Sequence, residues 1–352
     1  MLVFGSRALL HTREALREIR QAYPHAYVTG CSTAGEICGE RVFDDTVVVT
    51  ALTLEKSTCV GVSVDLSEAS ASDAAGALLA SRLPDPDGLK HVVVLSDGLH
   101  VNGSELVQGL THGLPAHLAV TGGLSGDGPH FKSTCVVVNG EPRSQVIVAV
   151  GFYGPELHVG YGSLGGWDPF GPDRVVTRSR GNVLYELDGQ SALALYKRYL
   201  GEQASGLPAS GLLFPLSIRT KDAEMGVVRT ILGVNEADDS MTFAGDIPEG
   251  ANAQLMRANF DRLIDGAVGA ARVSTAALGG HIPECALLIS CVGRKMVLKQ
   301  RVEEEIEGVR DVVGAQATLT GFYSYGEISP FVPTARCELH NQTMTITTLS
   351  ER

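Results

Sequence analysis

The stretch AYVTGCSTAGEI (26–37) and its near copy ATLTGFYSYGEI (317–328) decide the fold that this sequence predicts. A third stretch, LAVTGGLSGDG (118–128), carries the same apolar-Thr-Gly ending. Self-similarity at several places in one chain is the signature of internal repeats. From the threonine onward, the first two stretches align without a gap and share five residues, at positions 29/320, 30/321, 35/326, 36/327 and 37/328.

Each of these stretches follows an apolar run and then an amphipathic or charged segment. The three apolar runs are LVFGSR (2–7), VVVLSDG (92–98) and LLISCVGR (287–294). Continuous Val/Ile/Leu runs separated by helices are typical of βαβ units whose strands are buried on both faces. Alternating segments at 45–65 and 134–152 indicate antiparallel strands between the units. The predicted fold class is therefore α/β, with two related α/β domains whose mixed sheets are built from repeated βαβ units.

A Gly/Pro-rich segment marks the predicted boundary between the domains. Nine of the nineteen residues from 154 to 172 are Gly or Pro. Such composition is typical of a connection that breaks helices and strands. We therefore predict an N-terminal domain over 1–160 and a C-terminal domain over 161–352. Because residues 2–6 already have the pattern of a buried strand, we also expect a short leader before Met1.

Composition excludes several classes of protein. Lys and Arg number 28 against 40 Asp and Glu, a net charge of −12, and such a surface repels a nucleic-acid backbone. The seven cysteines form no paired framework and no CxxC motif, which indicates reduced thiols in a cytoplasmic protein. No apolar run approaches the ~20 residues of a membrane-spanning helix.

The carboxyl ends of the predicted strands are the expected location of a ligand site. They bring together small residues, hydroxyls, two arginines and a few carboxylates, so we expect a shared pocket there. Two alternatives stay open: the paired glutamates are acid/base groups or repeated structural hydrogen bonds, and the two tyrosines form a pocket wall or belong to the core. The candidate ligand-binding residues are Arg7, Cys31, Ser32, Glu36, Cys291, Arg294, Tyr323, Tyr325 and Glu327.

Signatures of catalysis and of metal binding are sparse. The sequence has no GxSxG elbow, P-loop or HExxH motif. A nucleophilic role for Cys31 or Cys291 would require a turn that lowers the thiol pKa. We therefore predict that the protein is not an enzyme. His340 is the candidate metal ligand, with His100 as a second candidate, although a single histidine is more often a hydrogen-bonded structural residue.

Several long motifs resemble the FIST family. GCSTAGEI (30–37) is similar to the hallmark of the N-terminal FIST domain. The C-terminal FIST domain is resembled by ELDGQSALALYKRYLG (186–201), AGDIPEGANAQLM (244–256), SCVGR (290–294) and GFYSYGEISP (321–330). The motifs occur in the same order as in the family and cover nearly the whole chain.

The resemblance implies an intracellular sensory protein for a small ligand. Its similarity to stand-alone bacterial members, including the ending CELHNQTMTITTLSE (337–351), implies a haem b cofactor, a response to nitric oxide and regulation of a partner histidine kinase in two-component signalling. His340 would then be the axial haem ligand. The alternative is a sensor for an amino acid or similar metabolite, bound by Arg7, Arg294, Glu36 and Glu327. A cysteine-dependent enzyme is the less favoured third interpretation.

Overall fold

The computed structural model describes residues 1–85, 87–221, 226–331 and 335–351, and it confirms the α/β class. The α-helices of the described residues are α1 (Arg7–Thr12), α2 (Glu14–Ala22), α3 (Ser72–Arg82), α4 (Gly103–His112), α5 (Ala192–Leu200), α6 (Phe260–Ala277), α7 (Val292–Leu298) and α8 (Val302–Val313).

The first strands of the chain are β1 (Leu2–Gly5), β2 (Thr29–Ser32), β3 (Glu36–Cys38), β4 (Arg41–Phe43), β5 (Val47–Thr50), β6 (Thr58–Asp65), β7 (Leu89–Ser96), β8 (Val120–Leu124), β9 (Val136–Val138), β10 (Glu141–Arg143), β11 (Val146–Tyr153) and β12 (His158–Leu164). The chain continues through β13 (Trp167–Pro169), β14 (Arg174–Arg180), β15 (Val183–Leu187), β16 (Gln190–Ser191), β17 (Leu216–Arg219), β18 (Val227–Arg229), β19 (Ile231–Asn235), β20 (Ser240–Phe243) and β21 (Asn252–Ala258). The last strands are β22 (Cys285–Cys291), β23 (Thr318–Ser324), β24 (Gly326–Pro330), β25 (Cys337–His340) and β26 (Met344–Ser350).

Three of the four sheets have the same plan. Each contains a parallel pair from one predicted repeat: β1 with β2, β7 with β8, and β22 with β23. A later strand of the same repeat, β5, β11 or β26, returns antiparallel to the first strand of the pair. The sheet orders are β10-β9-β2-β1-β5, β25-β24-β8-β7-β11-β6 and β12-β26-β22-β23-β3-β4.

Each of these three sheets is completed by a pair of strands from another repeat. The first repeat sends β3 and β4 to the third sheet, where β3 pairs with β23. The second repeat sends β9 and β10 to the first sheet, and the third repeat sends β24 and β25 to the second sheet. The exchange is cyclic, so the Thr-Gly stretches are the points at which the chain passes from one sheet to the next.

Side chains from all three sheets pack in one core between them. Phe4 of β1 and Phe322 of β23 stack with ring centroids 4.7 Å apart. Leu95 of β7 and Ile289 of β22 belong to the same buried cluster. The helices cover the outer faces of the sheets, as continuous apolar strands require.

The fourth sheet, β18-β17-β21-β14-β15-β20-β19 with β13 and β16 attached, lies in the chain between β12 and α6. Helix α5 packs on it, and together they enclose a separate apolar core. The spacing of the apolar residues predicts a helix from about 253 to 271, but residues up to Ala258 form β21 instead. Ala253 and Leu255 alternate into this second core, and Asn259 caps α6 by accepting a hydrogen bond from the Arg262 N–H.

Candidate functional site

The two repeated glutamates occupy matching hydrogen-bond networks. Glu36 accepts hydrogen bonds from the Thr33 hydroxyl and from the N–H (3.2 Å) and hydroxyl (2.7 Å) of Thr46. Glu327 accepts hydrogen bonds from the Ser324 hydroxyl (2.6 Å) and from the N–H (3.2 Å) and hydroxyl (3.1 Å) of Thr343. Burial raises the pKa of Glu36, and it raises the pKa of Glu327 to about 8. Both carboxylates hold the turn where the chain changes sheets.

Arg294 is fully buried in an ion pair with Glu305, at 2.7 Å between Nη2 and Oε2. Its guanidinium also donates to the carbonyl oxygens of Gly165 (2.8 Å) and Leu263 (2.6 Å). Tyr323 donates its hydroxyl proton to the same Glu305 at 2.7 Å. Arg294 and Tyr323 therefore bind groups of the protein, and neither lines any of the three clefts described below.

The two candidate nucleophiles are in surroundings that oppose thiolate formation. Cys31 and Cys291 are buried, and burial raises the pKa of both thiols above the ordinary value. Ser32, next to Cys31, is also buried, and its hydroxyl accepts a hydrogen bond from the Cys135 N–H at 2.9 Å. Because a nucleophilic cysteine needs a lowered pKa, these surroundings do not favour a catalytic role for either thiol.

The side chains of Arg7 and Tyr325 belong to none of the hydrogen-bond networks described above. Arg7 begins α1, and its buried Nε has no hydrogen-bond partner among the described residues. Tyr325 donates its hydroxyl proton to the Asp127 carboxylate and accepts hydrogen bonds from the N–H groups of Asp127 (3.1 Å) and Phe131 (3.2 Å). Its ring stacks on Phe131 with centroids 4.2 Å apart. The structure thus distributes the candidates over several buried networks and does not gather them in one pocket.

His340 is buried, with its Nε2–H donating to the Ser329 carbonyl oxygen at 2.7 Å. Its ring packs against Phe331 with centroids 4.1 Å apart, and burial lowers its pKa to about 4. The Nδ1 atom has no partner among the described residues, but His340 lines none of the three clefts described below. A porphyrin needs an open space beside the ring, so the residues around His340 do not fit a haem.

The second candidate histidine is half of a hydrogen-bonded pair. His100 Nδ1 lies 2.9 Å from Asp97 Oδ1, and the Asp97 carboxylate also accepts the N–H groups of Leu99, His100 and Gln145. No cluster of three or more His, Cys, Asp or Glu side chains suited to a metal ion is found in the part of the chain that the structure describes.

A small cleft of about 20 Å³ opens on the core of the fourth sheet. We call it the Arg174 cleft. Its walls are mainly apolar, and its polar groups are the guanidinium of Arg174 and the hydroxyls of Tyr199 and Tyr196, of which that of Tyr196 donates to the Phe214 carbonyl oxygen at 2.7 Å. The lining residues are Phe170, Pro172, Arg174, Leu187, Ala192, Leu195, Tyr196, Tyr199, Leu216, Met241, Ala253 and Leu255.

Arg174 is held in place at this cleft by two partners. Its Nε donates to the Tyr199 hydroxyl at 3.2 Å, and its Nη2 donates to the same hydroxyl. Its Nη1 donates to Asp188 Oδ2 at 2.9 Å. The side chain is 22% exposed, so the guanidinium is reachable from the cleft and from solvent. A fixed cation beside apolar walls is suited to a ligand that has a carboxylate and an apolar body.

A second cleft, of about 50 Å³, lies where the three related sheets meet. We call it the inter-sheet cleft. Leu2, Val93 and Leu287 line it, each from the first strand of a different sheet, and Leu52 and Leu54 cover it from the segment between β5 and β6. It continues into a more polar cleft of about 290 Å³, which we call the rim, lined by Glu55, Lys56, Glu284 and Glu351 among others.

Sequence reasoning missed the residues of both clefts. Arg174 begins the strand RVVTRSR, which has no recognised binding motif. The only signal was indirect: the predicted family motif at 186–201 supplies Leu187, Leu195 and Tyr199 to the Arg174 cleft.

Comparison with known families matches the FIST N domain to residues 1–190 and the FIST C domain to residues 192–330. Among curated protein sequences, none matches the chain. Solved structures that match include a cyanuric acid hydrolase from A. caulinodans, at 13% identity and a TM-score of 0.20, covering 84% of this chain and 99% of that chain.

The hydrolase match overturns one expectation. The prediction that the protein is not an enzyme was wrong as an exclusion, because a matching solved structure is that of an enzyme. At a TM-score of 0.20 the likeness carries no argument about chemistry, so it assigns no reaction to this chain. Separately, no helix within the described residues is long and apolar enough to cross a membrane.

Proposed function

Because the chain belongs to the FIST family, whose domains are small-ligand sensors of signal-transduction proteins, we propose that it senses a small carboxylate with an apolar body. The observation that carries this proposal is Arg174, a partly exposed guanidinium held at the mouth of an apolar cleft. The amino-acid-like metabolite predicted from the sequence has this chemistry. The residues that we assign to it differ from those predicted.

The guanidinium retains the capacity to bind such a ligand. Arginine has five N–H donors, of which three are directed at Tyr199 and Asp188. Two N–H groups therefore have no partner among the described residues. The Asp188 carboxylate also accepts the Val175 N–H at 2.8 Å, so its position is fixed. It therefore orients the Arg174 guanidinium and leaves the two remaining N–H groups unoccupied. A ligand carboxylate would accept the two remaining N–H groups while its apolar body packs on Leu195 and Leu255.

Occupancy of the cleft has a physical route to the rest of the molecule. Met241 of β20 lines the cleft, and the chain continues from β20 to Asp246. Asp246 accepts a hydrogen bond from Asn102 Nδ2 at 2.9 Å, at the start of α4. Movement of β20 on ligand binding would change this contact between the fourth sheet and the second repeat. We propose that a separate signalling protein reads that change; the resemblance suggests a histidine kinase.

Haem binding and the nitric oxide response stay predictions from the resemblance. The visible spectrum of protein purified from haem-supplemented cells tests them: a stoichiometric haem band that shifts with nitric oxide would support them. A colourless protein that rejects added haem would contradict them and leave the carboxylate proposal intact.

The Arg174 cleft is tested by thermal stabilisation with a panel of small acids. We expect acids with an apolar side chain to raise the melting temperature of the wild-type protein, since a ligand that binds only the folded state stabilises it. Arg174→Gln should abolish that rise, because Gln cannot donate the bidentate fork. Arg178→Gln is the matched control: Arg178 is exposed on the same strand, pairs with the half-buried Glu186 and lies outside the cleft.

Two results would overturn this assignment. One is a full ligand-induced rise in the Arg174→Gln variant. The other is loss of the rise in Arg178→Gln, which would show that net charge on the strand, and not the position of Arg174, determines binding.

A further inference from the structure

We propose that the free edge of β5 is the docking site of a β-strand and a helix that directly precede β1 in the polypeptide. The strand would add to the first sheet antiparallel to β5, and the helix would cover the outer face of the sheet beside α1 and α2. This place lies outside the fourth sheet that forms the Arg174 cleft. The three related sheets, the order of their strands and the residues after β5 support it.

The three related sheets differ at one edge. In the second sheet the return strand β11 is flanked by β6, and in the third sheet the return strand β26 is flanked by β12. Both outer strands run antiparallel to the return strand. In the first sheet the return strand β5 is itself the edge within the described residues. The outer strand position is therefore filled in the second and third sheets and open in the first.

The order of the chain indicates which segment fills that position. β6 leads through α3 into β7, the first strand of the parallel pair in the second sheet. β12 leads to β22 through the inserted fourth sheet and then α6. α3 packs on α4, and α6 packs on α8. The same order places the outer strand of the first sheet, and a helix packed on α1 and α2, directly before β1.

The register of the sheets shows where β5 stops short. Thr50, Val150 and Thr347 are equivalent, because each pairs with the first-strand residue that in turn pairs with the threonine of a Thr-Gly stretch. β11 and β26 continue three residues beyond this point, to Tyr153 and Ser350, and these residues pair with β6 and β12. β5 ends at Thr50 itself.

The residues after β5 keep the burial pattern of a strand without having a strand partner. Ala51 and Thr53 are exposed, whereas Leu52 and Leu54 are half-buried. Alternation with a period of two is typical of a strand with one covered face. Yet residues 51–54 form no backbone–backbone hydrogen bond within the part of the chain that the structure describes. This segment can therefore extend β5 when a neighbouring strand pairs with it.

The outer face of the first sheet is less covered than the outer faces of the other two. Every residue of β26 is buried, and in β11 only Tyr153 is half-buried, because α6 and α3 lie over these strands. On β5, by contrast, Val49 is 41% exposed. Val49 pairs with Val3, whose side chain packs with Leu10 of α1. Val49 therefore lies on the face that a helix covers in the other two sheets.

The backbone of β5 offers hydrogen-bonding groups at this edge. The Ser6 N–H donates to the Thr46 carbonyl oxygen at 3.0 Å, which fixes the alternation of the ladder between β1 and β5. In an antiparallel ladder every second residue bonds the neighbouring strand, so the N–H and C=O groups of Val48 and Thr50 face β1. Those of Val49 then face the free edge, where an added strand can pair with them.

The second repeat gives the size of the segment. β6 begins at Thr58, 35 positions before Val93, which is the residue equivalent to Leu2. A strand and a helix of the same length therefore begin about 34 residues before Met1. At the mean residue mass of the chain, 37.1 kDa over 352 residues, this segment adds about 3.6 kDa.

The intact mass of the protein purified from the cells that naturally produce it tests whether the segment exists. We expect the mass to exceed the 37.1 kDa of the 352-residue chain by about 3.6 kDa or more. Sequencing of the amino-terminal peptides should locate the additional residues before β1, with the pattern of a strand followed by an amphipathic helix. A mass of 37.1 kDa, or an extension too short for both elements, would overturn the proposal.

Docking at β5 is tested by hydrogen exchange in the natural-length protein and in the 352-residue chain. We expect the amides of Val49, Ala51 and Thr53 to exchange about tenfold more slowly in the longer protein, because a paired edge amide exchanges only when the strand opens. Equal exchange rates in the two proteins would show that the segment does not pair with β5, and the proposal would then be wrong.

A proline substitution tests the same edge by stability. Val49→Pro removes an N–H that faces the free edge and leaves the ladder with β1 intact, since proline is tolerated on the open side of an edge strand. It should lower the melting temperature of the longer protein more than that of the 352-residue chain. An equal effect on both proteins would contradict pairing at β5.

Leu232→Pro is the matched control. Leu232 is exposed at the bulge of β19, which is the edge strand of the fourth sheet. It should change the melting temperature of both proteins by the same amount, because the segment before β1 does not reach that edge.

Discussion

Arg294 and Arg174 each pair with a carboxylate, yet their surroundings differ completely. Arg294 is fully buried with Glu305, and its guanidinium also binds two carbonyl oxygens of the protein. Arg174 is partly exposed beside an apolar cleft and keeps donors without partners among the described residues. The difference shows that an arginine next to a strand can have its guanidinium bonded entirely within the core or keep donors at the surface, depending on the side chains that pack around it.

Replacement of Arg294 should have the largest effect. Arg294→Met leaves Glu305 buried without its cation, which costs about 3–5 kcal/mol of unfolding free energy. Urea denaturation measures this loss. The double variant Arg294→Met/Glu305→Leu should recover only part of it, because both charges are removed together but the Tyr323 hydroxyl and the Gly165 and Leu263 carbonyls lose their partners. A loss below about 1 kcal/mol in the single variant would show that the pair is not structural.

Glu327 is a buried group of the fold, like Arg294, and it should make the stability of the protein depend on pH. Its pKa of about 8 lies above the ordinary 4.5, so the folded protein retains a proton that the unfolded chain has lost. Stability from this group is fully present below about pH 4.5 and decreases as the pH rises to about 8. Glu327→Gln, which resembles the protonated acid, should flatten the decrease.

Urea denaturation at pH 5, 6, 7 and 8 compares the two proteins. An identical pH slope in wild type and Glu327→Gln would contradict the assignment of the titration to this carboxyl. Glu36→Gln provides the internal reference from the first repeat, where burial raises the pKa of the equivalent group.

Removal of the Tyr199 hydroxyl should have the smallest effect on stability. Tyr199→Phe leaves the ion pair of Arg174 with Asp188 but releases two donors of the guanidinium. Because the site is partly exposed, we expect a loss of less than about 1 kcal/mol. Ligand-induced thermal stabilisation should nevertheless decrease, because a guanidinium that is less fixed loses more conformational entropy when it binds the ligand. Unchanged ligand affinity would show that Tyr199 does not position Arg174.

The repeats, the α/β class and most helices could be predicted from the sequence because they depend on local periodicity. α2, α4 and α8 lie in the amphipathic or charged segments that follow the three apolar runs, and the matching Thr-Gly stretches occupy equivalent places in the fold. β21 was missed because an apolar run gives the same short-range signal in a strand as in a helix.

The clefts could not be predicted, since they form between residues far apart in sequence. Val150 and Thr29 become neighbours of one cleft only after strands of different repeats are arranged around a common core. The strand-end candidates were recognised as polar and repeated, but the sequence does not show that Arg294 already forms an ion pair with Glu305. Which buried charged side chains form ion pairs with each other depends on how the chain packs.

The cyclic exchange of β3–β4, β9–β10 and β24–β25 has a further consequence. Three separate chains that exchanged these hairpins in the same way would form a domain-swapped trimer, and here the three subunits are tied into one polypeptide. No repeat can then leave the assembly without opening the sheets of its neighbours. Because the subunits are tied together, only one of them needs to carry the inserted fourth sheet, so a symmetric framework supports an asymmetric sensor.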